Sequence, residues 1–246
     1  MDVTDRFAAV MARPDSDIAL DEAALLVAAH AHPGLDVDGE RARLDDLAAR
    51  APVEAQALTQ YLFVDCGFAG NAADYSDPRN SYLDDVLARR LGIPITLSVL
   101  MIEVGRRVGL VLDGIGMPGH FLVGAGDGRY FDPFHGGLPL DEDGCRSRYA
   151  EVRGDTGFRP EFLAPVGPRA IVSRILANLV FSLVARDPAA AVWALRLRLL
   201  VPGLSDDERR SIARHLGSLG RYAEAAVELE AVGAEQEAIA MRSRAN

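Results

Sequence analysis

Lysine is missing from the 246-residue chain; its 26 basic residues are all arginine. That absence removes Schiff-base catalysis and the phosphate-binding lysine of a Walker loop. Cysteine is nearly missing too. Cys66 and Cys145 form neither a Cys-x-x-Cys pair nor a zinc spacing, so both read as reduced, structural thiols. No uninterrupted apolar run reaches the roughly 18 residues of a spanning helix, so none is predicted and no membrane partner is expected. The opening stretch MDVTDRFAAVMARPDSD carries acids early and lacks an apolar h-region. It reads as no signal peptide, with a cytoplasmic location as the expectation. Basic residues are outnumbered by 36 acids, for a net charge of −10. With no basic patch, nucleic acid is not an expected partner either.

What remains is the composition of an ordinary folded protein, 49% hydrophobic and 25% charged, with material for one or two domains. Residues 1–79 read as a helical layer. Ala19–Ala31 is an Ala/Leu-rich helix with Asp17 as N-cap, ending before Pro33-Gly34. Gly39–Ala49 and Pro52–Phe63 repeat the pattern, and Gly67–Pro78 is a loop by its turn residues. Asn80 and Ser81 offer caps for a short helix over Tyr82–Arg90. A buried helix follows from Pro94, which suits the first helical position because its missing N–H has no partner there. Leu97, Leu100, Met101, Val104 and Val108 recur at three- and four-residue steps, and Gly109 suits the position after the helix end. The period then shortens. Val111–Ile115, His120–Gly124 and Arg129–Phe134 read as strands, with Gly126-Asp127-Gly128 as a hairpin turn. The fold class is therefore α+β, with the core over residues 80–140 of a domain spanning 1–150. Residues 141–167 mix charge, Gly and Pro and read as a linker region, with the linker between the domains placed at 151–167. From Pro168 to the end the chain reads as helical. Asp187, Ala189, Ala191 and Leu195 match Arg221, Ala223, Ala225 and Leu229 at a 34-residue offset, the period of a tetratricopeptide hairpin.

Gly114-Ile115-Gly116-Met117-Pro118-Gly119 fits GxGxxG, but a strand follows it rather than a helix, and Pro118 lacks an N–H. We read a turn, not a dinucleotide site. His120 and Asp132 are more informative, because a short hairpin separates them and can set them side by side. A carboxylate on one imidazole nitrogen fixes the tautomer and leaves the other as a base. The plainer alternative is a strand-capping histidine and an Asx-turn into Pro133. A thiol in the first turn of the Pro94 helix would complete a nucleophilic site, yet that turn reads Pro94-Ile95-Thr96-Leu97-Ser98. Thr96 and Ser98 carry hydroxyls there, with a backbone carbonyl inside the helix as the ordinary partner of each. Cys66 sits in the preceding loop, as a structural thiol or a nucleophile folded over the site. His135 reads as a solvated loop residue or a wall of a polar pocket. His30 and His32 read as surface, Trp193 as core between helices. No His/Asp/Glu grouping has metal-ligand spacing along the chain, so no metal or other cofactor is expected.

The block NSYLDDVLARRLGIPITLSVLMIEVGRRVGL, followed by GMPGHFLV and YFDPFHGGLPL, resembles the transglutaminase-like superfamily, specifically its bacterial SirB-type, invasion-regulator-like branch. YLFVDCGFAGNAADYSDPRN and RILANLVF are similar as well. The resemblance covers about residues 17–240 and is most specific over Asn80–Gly137. It implies a papain-like core in which a buried helix carries a catalytic Cys at its start, with His and Asp on adjacent strands. Those positions fall on Pro94, His120 and Asp132. The branch itself carries this Gly-Ile-Pro form, and it has a tetratricopeptide-like tail. The resemblance therefore implies a non-catalytic protein- or peptide-binding module, with the tail meeting the partner. The alternative is a hydrolase or acyltransferase of amide bonds, using His120 and Asp132 with Cys66, Ser98, Thr96 or water. A third possibility leaves His120 and Asp132 only stitching the hairpin.

Overall fold

The structure is a computed structural model that describes residues 2–154 and 157–245. Helices α1 (Val3–Met11), α2 (Leu20–Ala31), α3 (Val37–Ala48) and α4 (Ala55–Gln60) form the N-terminal layer. Asp17 lies in a 3-10 turn, and Ala19 takes the N-cap of α2 with no side-chain bond. The single helix expected over Pro52–Phe63 starts later, because Glu54 accepts from the N–H groups of Gln56 and Ala57. It then widens into a π turn over Tyr61–Asp65.

Two short strands, β1 (Ala69–Gly70) and β2 (Leu91–Gly92), pair in parallel on either side of helix α5 (Leu83–Arg89). Helix α6 (Pro94–Arg107) follows, with Pro94 at its first position. Its burial is wider than one stripe: every residue from Pro94 to Met101 is buried. Such all-round burial belongs to a helix with neighbours on every side. α6 packs against α2, α3, α4 and α5 and against the sheet. Gly105 allows that closeness on one side; a Cβ there would lie 2.6 Å from Leu112. Where α6 ends, Gly109 adopts φ +84, a left-handed turn that costs glycine little. The polar end of α6 is anchored by a wholly buried carboxylate, Asp21 of α2, which accepts from Arg107 and from Arg41 Nε at 3.1 Å.

The sheet has the order β6-β5-β4-β3-β7, antiparallel throughout, from β3 (Asp113–Ile115), β4 (Leu122–Gly124), β5 (Tyr130–Asp132), β6 (Leu138–Leu140) and β7 (Pro165–Val166). The three expected strands are present but trimmed. Gly114 and Gly116 lie in β3 and the turn after it, and no helix opens there. The stretch 141–167 is not a plain linker. It holds helix α7 (Glu142–Arg153), capped by Asp141, and edge strand β7; residues 155 and 156 lie outside the described residues. α7 is polar on most faces and shows the core only Cys145 and Tyr149, a pair at i, i+4, which hid it from a periodicity reading.

Helix α8 (Pro168–Arg186) is long and apolar enough, by length and composition, to cross a bilayer, contrary to the expectation from uninterrupted runs. Arg169 and Arg174 interrupt its apolar sequence. Its Ile171, Ile175, Leu176 and Leu179 are buried in the main core. Helices α9 (Ala191–Leu199), α10 (Asp206–Ser218), α11 (Tyr222–Ala231) and α12 (Glu235–Ala245) complete the chain. Trp193 of α9 is half-buried, and His30 stacks on it at 5.6 Å. His30 and His32 are thus packed rather than free on the surface; His32 Nδ1 lies 2.6 Å from Asp84 Oδ2.

Candidate functional site

The β4–β5 register, with Val123 opposite Phe131, draws the residues before β4 alongside the end of β5. Gly119 turns the chain at φ +83, and the His120 N–H donates to the Met117 carbonyl at 3.1 Å. This places His120 Nε2 at 2.9 Å from Asp132 Oδ1. Both side chains are buried, Asp132 completely. Asp132 is also the N-cap of a 3-10 turn, Pro133–His135, so the chain folds back at once and brings in a second imidazole. His135 Nδ1 lies 2.8 Å from Asp132 Oδ2, and the His135 N–H donates to Oδ1 at 3.3 Å. Arg148 of α7 sets its Nε 3.0 Å from Oδ2, off the line of a good hydrogen bond. Burial pushes the Asp132 carboxyl up; the hydrogen bond and charge of His120, with His135, overcome it and hold the group below the ordinary carboxylate range. In the neutral ring, His120 Nε2–H donates to the ionised Asp132 carboxylate, which leaves Nδ1 as the ring's acceptor.

Aromatic rings wall this site. Phe134 stands edge-on to His120 at 6.4 Å, and Tyr75 edge-on to Phe134 at 5.7 Å. Gly70 of β1 lies so close that a Cβ would come within 2.5 Å of both the Phe134 ring and its carbonyl oxygen. Helix α6 packs against the same 3-10 turn and against β4.

Other sequence-selected residues take different places. Asn80 does not cap α5, whose N-cap is Tyr82. Its buried amide donates to the Asp74 carbonyl at 2.8 Å and accepts from Asn71 at 3.0 Å, closing the loop over residues 71–80. Its own carbonyl accepts the Thr96 hydroxyl at 2.6 Å, and Thr96 Oγ1 accepts from the Ile93 N–H at 3.2 Å. The Thr96 hydroxyl therefore ties α6 to that loop; its main partner lies outside the helix. Ser98 also departs from expectation: it is fully buried, and its hydroxyl has no partner among the described residues. Cys66 lines a different cavity, with Arg50, Tyr61 and Arg90. Cys145 is completely buried, and burial with Asp141, Asp132 and Glu142 pushes its thiol up to about 12. Neither thiol is poised as a nucleophile on His120.

Two participants escaped the sequence reading. Arg148 lay in the supposed linker region. Arg174 of α8 reaches back to donate to the carbonyls of Met117 at 2.9 Å and His120 at 2.7 Å, holding the loop that carries the histidine. The Asp132-x-x-His135 spacing around Pro133 was the one available signal for the second imidazole.

Ligand spacing also exists in space where it was not seen along the chain. One ligand atom from each of His120, Asp132 and His135 falls within a 4.8 Å set, and the same holds for His32, Asp84 and Asp85. In the first set the Arg148 guanidinium already supplies positive charge at the carboxylate. In the second, both His32 nitrogens face carboxylates, Asp84 at 2.6 Å and Asp85 at 3.5 Å, so the ring bridges the two acids.

Comparison with known proteins places these residues in context. The profile of the Transglutaminase-like superfamily matches residues 19–177. A UPF0162 protein of Xylella fastidiosa (strain 9a5c) is 40% identical over 209 residues, covering 76% of this chain and 74% of that protein. A UPF0162 protein of Vibrio cholerae is 30% identical over 137 residues, covering 54% of this chain and 50% of its own length. F-box only protein 21 of Mus musculus is 36% identical over 93 residues, covering 37% of this chain and 15% of that protein. No solved structure matches.

Proposed function

The chain belongs to the transglutaminase-like superfamily, and we propose that it is a SirB-type member that has given up thiol chemistry and uses its cleft to bind a peptide or protein segment. The observation that carries this reading is a buried His120–Asp132 contact kept beside a helix whose first position is proline. Resemblance assigns that position to the thiol. Proline offers neither a nucleophile nor an N–H for an oxyanion. The other candidates are spent: Thr96 is bonded, Ser98 is sealed, Cys66 lies in another cavity and the Cys145 thiol is pushed up to about 12. A fixed imidazole acceptor, a second imidazole and an aromatic wall remain, and these suit hydrogen bonding to an extended backbone.

The helical tail is the proposed partner-binding extension, of tetratricopeptide-like packing. Ala191 and Leu195 of α9, and Ala225 and Leu229 of α11, are all fully buried, as repeated positions of stacked units are. The second helix of the later pair begins early, since the connection shortens from 200–205 to 232–234. We place the chain in the cytoplasm.

A second reading is favoured by one observation, the Asp132 carboxylate oriented 2.9 Å from His120 Nε2. Under it His120 is a general base that activates water for amide hydrolysis. One experiment separates the two. The full chain and its His120→Ala variant are treated with a fluorophosphonate and with iodoacetamide, screened for amide hydrolysis, and screened for binding on a peptide array. The proposal expects no His120-dependent adduct or turnover, and peptide binding that weakens in the variant. A His120-dependent adduct at Ser98, Thr96 or Cys66, or turnover lost with His120, would overturn it.

A further inference from the structure

Away from the His120 site, the open groove between α8, α10 and the loop 201–204 has a volume of about 530 Å³. Its charged lining is Arg169, Arg174 and Arg198 against Asp15 and Glu208. The two acids are engaged elsewhere. Asp15 accepts from the Arg169 N–H at 2.9 Å, at the amino end of α8. Glu208 accepts from the Ser205 N–H and hydroxyl at 3.0 and 2.8 Å, closing the capping box of α10. Arg169 is engaged as well, donating to the carbonyls of Met11 and Arg13.

Arg198 and Arg174 are different. Arg198 Nε is buried with no hydrogen-bond partner among the described residues. Among the described residues Arg174 donates only to neutral carbonyls, and it lies over the Phe121 ring at 5.3 Å. Burial lowers the proton affinity of both guanidiniums, opposed by the Glu208 carboxylate at Arg198 and by Tyr75 at Arg174. Taking a fixed charge out of water without a hydrogen-bonded counter-charge is unfavourable, and the orphaned Arg198 N–H adds to it. Along the α8 wall the residues beside Arg174 are small, Ala170, Ser173 and Ala177, which leaves the groove between that wall and Arg198 open.

We propose that this groove binds a small oxyanion, a phosphate or carboxylate group, through Arg198 and Arg174. Guanidinium geometry suits either oxyanion, because its N–H groups fork onto two oxygens. Arg174 also holds the His120 carbonyl, so the occupant sits one side chain away from the His120 site.

The test is calorimetric titration of the full chain with inorganic phosphate in one arm and succinate in the other, at fixed ionic strength. Saturable single-site binding in either arm, with a Kd below about 1 mM, supports the proposal and identifies the group. Arg198→Ala should weaken that binding about tenfold or more, the loss of a charge-assisted contact. Ala177→Leu fills the groove without altering charge and should weaken it as well; this variant decides the matter if Arg198→Ala fails to fold. Arg221→Ala removes an arginine that is paired with Glu224 outside the groove and should bind as the parent does. No saturation by either anion up to about 10 mM overturns the proposal. So does undiminished binding by the folded Arg198→Ala or Ala177→Leu chain, or an equal loss in Arg221→Ala.

Discussion

Replacing Asp132 with alanine removes one acceptor from several donors at once. The buried contact to His120 is the largest loss: His120 is 5% exposed and Asp132 is 0% exposed, so the freed imidazole N–H finds little water. Losing a charge-assisted hydrogen bond and leaving this buried imidazole N–H unpaired costs about 1.5–3 kcal/mol. The cap on the Pro133–His135 turn adds about 1 kcal/mol. The His135 ring is 41% exposed and rehydrates, so its bond adds little. A total near 3 kcal/mol corresponds to a fall of about 6–12 °C in Tm for a chain of this size. The pH dependence is the sharper check. Asp132 has a depressed folded pKa, so its contribution is complete above the ordinary value of 3.8 and is lost as pH falls through the lower folded value. The stability gap between parent and Asp132→Ala should therefore hold steady near neutrality and narrow in strong acid. Asp21 and Asp77 also have lowered pKa values and titrate in the same region, which makes the difference between the two chains the quantity to measure by urea unfolding. A gap below about 1 kcal/mol, or one that does not change with pH, would refute the account of Asp132 as an ionised hub.

Gly70→Ala pushes a methyl group into the Phe134 ring and carbonyl, both at 2.5 Å; thermal unfolding should show a loss of about 1–3 kcal/mol. Pro94→Cys places a thiol at the amino end of a buried helix. Its alkylation by iodoacetamide near neutral pH should slow severalfold when His120→Ala is added. Equal rates with and without the imidazole would remove residue 94 from the site. Asp21→Ala takes one of three carboxylates from Arg107, which keeps Glu103 and Asp45, and frees a partly exposed Arg41; it should cost about 1–3 kcal/mol in urea unfolding. The Asp21 contribution likewise disappears as pH falls below 3.8.

Local signals made some of this architecture readable in advance. α6 stood out because proline at its start, apolar steps along its length and Gly109 at its end all agree. The approach of His120 to Asp132 was readable because a tight hairpin limits where its two arms can go. Contacts supplied by distant segments were not. Arg148 and Arg174 reach the site from helices that follow it in the chain, and no spacing near His120 announces them. α7 was misread because a mostly polar helix with two buried residues resembles a loop in composition. β7 is only Pro165 and Val166, and its identity depends on the free edge of β3. Asn80 has the chemistry of a helix cap, yet its amide found partners in the preceding loop instead.

The reach of Arg174 fixes where this protein can be cut. α8 follows the segment once read as a linker, yet it buries its apolar side in the main core and grips the histidine loop. The superfamily match likewise runs into it, ending at residue 177. A chimaera that exchanges tails at Pro168 would discard the strut on the histidine loop along with the extension, whereas a junction after Asp187 keeps that strut and asks the donor only to rebuild the α9 packing on α2 and α8. Tail replacement among relatives should therefore preserve a folded core only when the donor sequence begins beyond α8.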